Sequence, residues 1–270
     1  MEFVKVTQNL GVRTIALNRP ERRNAFHPGM IKEITQAFKE AAREESVRAI
    51  LLTSVGPSFC SGGDLEWMKS MAAFTVKQNL KDADELFEMY WTIRNTPMPV
   101  IGRVQGHAFG GGAGLLAVCD FVAVEENTQI CFSEVKWGLV PAVISPFVTE
   151  RATSARVREW FLTAKVFDGR EALASGLVTF SGTIAQVDLY LEETFQRLLA
   201  AAPQAVRESK KLQLAYSAIS PAAWKSVRAR VTKLIAARRV SDEGQKGLKA
   251  FLEKRNPQWS DSPYGATAKI

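Results

Sequence analysis

Two stretches of the chain join consecutive glycines to strand-like apolar runs: Ser58-Phe-Cys-Ser-Gly62-Gly63-Asp64-Leu65 and Gly106-His-Ala-Phe-Gly110-Gly111-Gly112-Ala113-Gly114-Leu115. Glycine adopts backbone angles closed to other residues and leaves its amide hydrogen uncovered. Where such a turn opens a helix, free donors and the helix dipole favour an anion, or a carbonyl oxygen gaining negative charge. One glycine triplet is explained equally well as a tight packing turn. Two separate turns, each at a strand end, supply what an oxyanion hole of main-chain amides requires. A thioester carbonyl becoming an enolate is their natural guest. The second stretch is not GxxxxGK[ST], which excludes a P-loop, and it lacks the GxGxxG spacing with a downstream acidic residue, which weakens a dinucleotide reading.

An acid or base must complete such a site. Glu134 stands between Phe132 and Val135, with Trp137 close by. An apolar setting disfavours the carboxylate and raises its pKa toward a value useful for proton transfer. Most glutamates are simply solvated, so the setting alone does not make this one a candidate; the pair of glycine turns together with the family resemblance given below does. Asp64 follows glycine where a helix begins and reads as a helix cap. His107, on a strand end, reads as a packed structural histidine. Cys60 neighbours the first turn, but no histidine stands near enough in sequence to suggest an activated nucleophile.

The elements that must position these groups are legible in the apolar pattern. Val12–Asn18 alternates and stops before Pro20, as a strand does. From Pro28 to about Glu45, Met30, Ile31, Ile34, Phe38 and Ala41 recur at helical spacing. Ala49–Thr53, Pro99–Val104 and Phe121–Val124 are short apolar runs of the kind buried on both faces of a parallel sheet. Strand, helix and strand in this order predict right-handed βαβ units. Beyond about residue 180, helical patterns dominate: Ala185–Ala202, Gln204–Ser217, Pro221–Arg239 and Asp242–Lys254. The expectation is an α/β core over 1–190 holding the site, and a helical C-terminal region over 191–270 packed against it. Within that region Trp224, Val227, Val231, Leu234 and Ile235 form an apolar stripe, more often core than interface.

Composition bounds the rest. The 270 residues are 46% hydrophobic and 23% charged, the mix of a folded soluble protein. Thirty-five Lys+Arg against 28 Asp+Glu give a net charge of +7, which favours an anionic partner without naming it. Three cysteines without a CxxC pair argue against a disulfide framework, and with only two histidines no metal site is expected. No run approaches the length of a membrane span, no signal-peptide pattern opens the chain, and a cytoplasmic setting is the expectation. A nucleic-acid-binding role has only the basic excess behind it, with no basic run interleaved with aromatics.

Several motifs together resemble one family. Asn18-Arg-Pro…Asn24-Ala25, Phe59–Leu65, Pro99-Val-Ile…Gly106–Gly112, Cys119-Asp120, Phe132-Ser-Glu134, Gly138–Pro141, Gly169-Arg…Gly176-Leu-Val178 and Phe251–Arg255 follow the pattern of the enoyl-CoA hydratase/isomerase (crotonase) superfamily along almost the whole chain. The resemblance implies a crotonase-like ββα spiral core and C-terminal helices that build a homotrimer, often paired into a homohexamer. It puts the two oxyanion amides on Gly63 and Gly111 and a catalytic glutamate on Glu134. The family's other glutamate position is occupied here by Gly114. Around these, the resemblance places an acyl-CoA thioester against Arg22, Arg23, Ala25, Ser61, Asp64, Leu65, Gly110, Gly114, Trp137, Phe251 and Lys254, coenzyme A being part of the substrate and no separate cofactor being needed. Gly110–Leu115 with Ser133–Ala142 is similar to a bacterial hydratase subgroup acting on methylglutaconyl-CoA and other carboxylated enoyl-CoA substrates. The expectation that goes with it is that a distal carboxylate of the substrate takes the room beside Gly114.

The implied activity is hydration of a 2-enoyl-CoA, with Glu134 serving both proton transfers. One base is also what double-bond isomerisation needs, and a decarboxylation would use the amides alone. A catalytically idle CoA-thioester binder is the reading from another class.

Overall fold

The computed structural model describes residues 1–217, 219–257 and 259. Strands β1 (Val4–Asn9) and β2 (Val12–Leu17) form an antiparallel hairpin, and helix α1 (Pro28–Arg43) leads to β3 (Ala49–Ser54). Next come α2 (Leu65–Ala72), α3 (Val76–Arg94), β4 (Val100–Val104), β5 (His107–Phe109), α4 (Gly111–Val118), β6 (Phe121–Glu125) and β7 (Gln129–Cys131). The remainder is helical but for one strand: α5 (Ser145–Arg151), α6 (Ser154–Thr163), α7 (Gly169–Ser175), β8 (Phe180–Gly182), α8 (Ile184–Ala200), α9 (Pro203–Ala215), α10 (Trp224–Val240) and α11 (Asp242–Leu252).

A six-stranded sheet has the order β1-β2-β3-β4-β6-β8, parallel from β2 onward. Its apolar runs are covered on both faces. Ala49, Ile101 and Ala123 meet Val187 and Leu191 of α8, while Ile50, Leu52, Val100 and Val122 join the main core with α1 and α3. The predicted parallel strands are therefore present, with β1 adding an antiparallel edge.

A second, smaller sheet matters more for the site. β5 pairs in parallel with β7, and single parallel bridges extend the pairing from Ala108 to Cys60 and from Gly63 to Phe26. The site loops after β3 and β4 are thus tied edge to edge.

Capping fixes where the helices start. The ring of His27 accepts the Gly29 N–H ahead of Pro28, and Thr75 with Gln78 forms a reciprocal capping box on α3. Trp224, Val227, Val231 and Ile235 of α10 are buried, and α10 lies along α3, so the apolar stripe is intramolecular core; Leu234 is half-exposed. The change from sheet to helix falls at Thr183, the cap of α8, so residue 190 lies inside that helix. Among the described residues no helix is long and apolar enough to cross a membrane.

Candidate active site

The first turn is shaped by the Phe26–Gly63 bridge. The Phe26 N–H donates to the Gly62 carbonyl at 2.7 Å, and the Asp64 N–H to the Phe26 carbonyl at 2.7 Å. These bonds use the groups on either side of Gly63, whose own N–H has no acceptor among the described residues. Asp64 is the cap it was read to be. Its Oδ1 accepts the Glu66 and Trp67 N–H groups at 2.8 and 3.2 Å, and its Oδ2 is held by Arg19 at 2.8 Å.

The second turn interlocks with the first. Gly110, at φ +50°, donates to the Cys131 carbonyl at 2.8 Å and brings Gly111 to the first position of α4. A Cβ on Gly112 would stand 2.5 Å from the Cys60 carbonyl oxygen, and one on Gly62 3.0 Å from that of Phe109. Only glycine lets the two backbones come this close. As the first residue of a helix, Gly111 has no intrahelical acceptor for its N–H, and none is found elsewhere among the described residues. Its carbonyl accepts the hydroxyl of the buried Tyr90 at 2.7 Å.

Gly63 and Gly111 line one cavity of about 380 Å³, and Glu134 lines it too. Glu134 opens the 3-10 turn Glu134–Trp137, which ends at Gly138 in the left-handed region. Its Oε1 lies 3.6 Å from where a Gly110 Cβ would be. The residue is half-buried, but Oε2 is buried with no hydrogen-bond partner. Burial pushes this carboxyl from 4.5 up to about 7. It is the only carboxylate lining the cavity among the described residues.

Gly114 is placed otherwise than expected. It is buried and does not line the cavity. A Cβ there would lie 2.4 Å from Ile144 Cγ2 and 3.3 Å from Tyr90 Cε1. The volume that a longer side chain would fill is taken by Ile144, so there is no room beside Gly114 for a substrate carboxylate. That expectation is corrected.

Of the other residues read from the sequence, Ser61, Gly110, Trp137 and Phe251 line the cavity. Arg22, Arg23, Leu65 and Lys254 are exposed, Ala25 and Asp64 are buried, and none of these six lines it. His107 packs edge-on against Phe109 and stays structural, within 3.3 Å of the Ser58 hydroxyl. Burial drives the Cys60 thiol up to about 12, which removes it as a nucleophile.

Sequence reasoning did not reach the helical wall of the cavity: Trp67, Met68 and Met71 of α2, Leu86 of α3, and Ile235 with Arg239 of α10. The apolar members carried a signal in their helical spacing. Arg239, beside Arg238, looks in sequence like a solvated basic pair. A larger groove of about 730 Å³ lies between α4, α8 and α9 and includes neither glycine turn. Four of the five charges on its wall are paired, Lys210 with Asp120 and Arg94 with Glu150, each at 2.6 Å, and the fifth, Arg151, donates to the Asp120 and Leu177 carbonyls.

A family model described as enoyl-CoA hydratase/isomerase matches residues 7–262. A Thermus thermophilus protein bearing an enoyl-CoA hydratase name is 30% identical, over 92% of this chain and 97% of its own. The crystal structure of an enoyl-CoA hydratase from Shewanella pealeana, 37% identical, superposes with a TM-score of 0.77 over 95% of this chain and 96% of that one. One from Mycobacterium avium, 27% identical, reaches 0.85 over 96% and 99%. The chain belongs to the enoyl-CoA hydratase/isomerase family, and its α/β architecture with a helical C-terminal region is that of the crotonase fold.

Proposed function

We propose that the protein adds water across the 2,3 double bond of an enoyl-CoA thioester. The observation that carries this reading is that Glu134, with a raised pKa and a buried Oε2 lacking any hydrogen-bond partner, shares one cavity with two acceptor-free amides. In the proposed reaction the Gly63 and Gly111 N–H groups hold the thioester oxygen. As the ionised Glu134 takes a proton from water, the water oxygen bonds to C3, and the π electrons move toward the thioester oxygen to give the enolate. The amides strengthen as that charge grows, which is where binding accelerates a reaction. Glu134, now protonated, returns its proton to C2 as the carbonyl re-forms. One carboxyl serves both transfers on one face of the substrate.

Within that class we place an acyl group carrying a carboxylate, on the likeness of Gly110–Leu115 and Ser133–Ala142 to the carboxy-enoyl hydratases. We also propose a homotrimer or homohexamer, which light scattering at micromolar protein concentration checks.

One observation favours a second reading. A single carboxylate in the cavity suffices for a Δ3-Δ2 isomerase, which moves one proton between two carbons. Incubation with a 2-enoyl-CoA and a 3-enoyl-CoA separates the two by product mass. Gain of one water from the 2-enoyl thioester is expected; a shifted double bond at unchanged mass, with no hydration, would replace the hydratase by the isomerase.

A further inference from the structure

Only three charged side chains line the cavity among the described residues: Glu134, Lys136 and Arg239. Arg239 is the unexpected one. It comes from α10, is 6% exposed, and stands among Trp67, Met68, Met71 and Ile235. Burying a guanidinium in such company is costly unless its donors are met. One end is met. Nη1 donates to Asp82 at 2.6 Å and faces Asn79 Oδ1 at 3.4 Å, while the guanidinium carbon lies 5.8 Å over the Trp67 ring. The Trp67 indole N–H donates to the other Asp82 oxygen at 2.9 Å, so Asp82 is held from both sides. Nε and Nη2 of Arg239 donate to no acceptor among the described residues.

That free edge is the part of an arginine that matters for recognition. Nε–H and Nη2–H are parallel donors spaced to take both oxygens of one carboxylate. Asp82 and Trp67 fix the plane of the fork in advance, so little ordering is left to be done on binding. Trp67 also touches the first turn, its ring 3.8 Å from a Cβ position on Gly63. One indole therefore spans from the oxyanion amide to the arginine. An acyl chain whose thioester sits on the amides would run along this ring toward the arginine.

We propose that Arg239 is the receptor for a carboxylate at the far end of the substrate's acyl group, and so the residue that selects carboxylated enoyl-CoA thioesters. The proposal rests on the acyl-CoA reading of the cavity and supplies the anion site that Ile144 denies beside Gly114. Asp82 acts through Arg239 as a positioning residue.

The test compares glutaryl-CoA with pentanoyl-CoA, which have the same number of acyl carbons and differ in the terminal carboxylate, by calorimetric titration of the full chain. Wild type is expected to bind glutaryl-CoA at least about tenfold more tightly, and Arg239→Gln to abolish that preference while pentanoyl-CoA and free CoA stay within about twofold. Arg239→Lys, which keeps charge but not the fork, is expected to restore only part of it. Equal wild-type affinity for the two thioesters overturns the proposal, and that comparison stands even if the Arg239 variants fail to fold. An equal loss for free CoA in Arg239→Gln overturns it as well, since the side chain would then be reading CoA phosphates. Turnover of glutaconyl-CoA against 2-pentenoyl-CoA keeps the two readings apart. A glutaryl preference without turnover of either leaves Arg239 as the receptor and removes the hydratase. Turnover of both without preference does the reverse.

Discussion

At the scale of single residues, Glu134 is decided by what surrounds it. A solvated glutamate would be fully ionised at neutral pH and a poor proton donor; here burial lifts the carboxyl to about 7, where it can both take and return a proton. Glu134→Gln is expected to lower kcat by about 10²- to 10⁴-fold while KM for the thioester changes little. Because the proposed reaction starts from ionised Glu134, kcat/KM of wild type should rise about tenfold per pH unit up to about 7 and then level off. A pH profile flat from 5 to 8 would remove Glu134 from the reaction. The same shift has a cost in stability. A carboxyl whose pKa is higher folded than unfolded stabilises the fold at low pH and loses that advantage as pH rises from 4.5 to about 7, on the order of 3 kcal/mol here. Glu134→Gln should therefore be more stable than wild type to urea at pH 8, the difference closing near pH 5. The two glycine turns were legible because glycine spacing is a local property, whereas Gly63, Gly111 and Glu134 were singled out through the family resemblance; the structure brings all three to one cavity. Arg239 was not legible, because what distinguishes it from Arg238 is the helix packed beside it.

Among elements, the C-terminal helix α11 has a direct hand in where Glu134 sits. It crosses the 3-10 turn Glu134–Trp137 with backbone against backbone. A Cβ on Gly247 would fall 1.9 Å from the Trp137 carbonyl oxygen, and one on Gly138 2.3 Å from that of Glu243. Arg238 of α10 ties the two together, donating to the Gly138 carbonyl at 2.7 Å and to the Glu243 carboxylate of α11. Gly247→Ala must push the turn away from the helix. It is expected to destabilise by about 1–3 kcal/mol in urea denaturation and to lower kcat more than it weakens CoA binding. Unchanged kcat in a destabilised variant would show that the turn holds Glu134 without α11. Long periodic elements such as α1, α8 and α10 could be read from sequence within a few residues. The three-residue strands β5 and β7 could not: they are too short to show a period, and besides each other their partners are Cys60 and Phe167, lent by distant loops.

Over the whole molecule, α10 and α11 share the main apolar core with one face of the sheet while α8 covers the other, and buried or half-buried cations tie helices to this frame. Ile235 and Leu248 belong to the same apolar cluster as Ile15, Ile50 and Val122. Lys210 of α9 reaches Asp120 at 2.6 Å and the Met98 carbonyl at 3.2 Å, at the point where β4 begins and α4 ends. Arg151 bridges the Asp120 and Leu177 carbonyls, and Arg239 pins α10 to Asp82 on α3. The net charge of +7 pointed outward, to an anionic partner, yet several of these cations are internal ties. Composition counts charges without saying which are solvated, so the basic excess was a weaker guide than the glycine turns. The ties make a prediction about cooperativity. Lys210→Met removes the lysine but leaves Asp120 Oδ2 accepting the Val100 N–H at 2.7 Å, so its carboxylate is not orphaned. The loss is expected to be about 2 kcal/mol, below the 3–5 kcal/mol of a fully buried pair broken on one side. With α10 and α11 built into the main core, wild type and variant should each unfold in urea in a single transition of unchanged m. Two separated transitions in the variant would mean that the helical region holds to the sheet through its ion pairs and not through the shared apolar cluster.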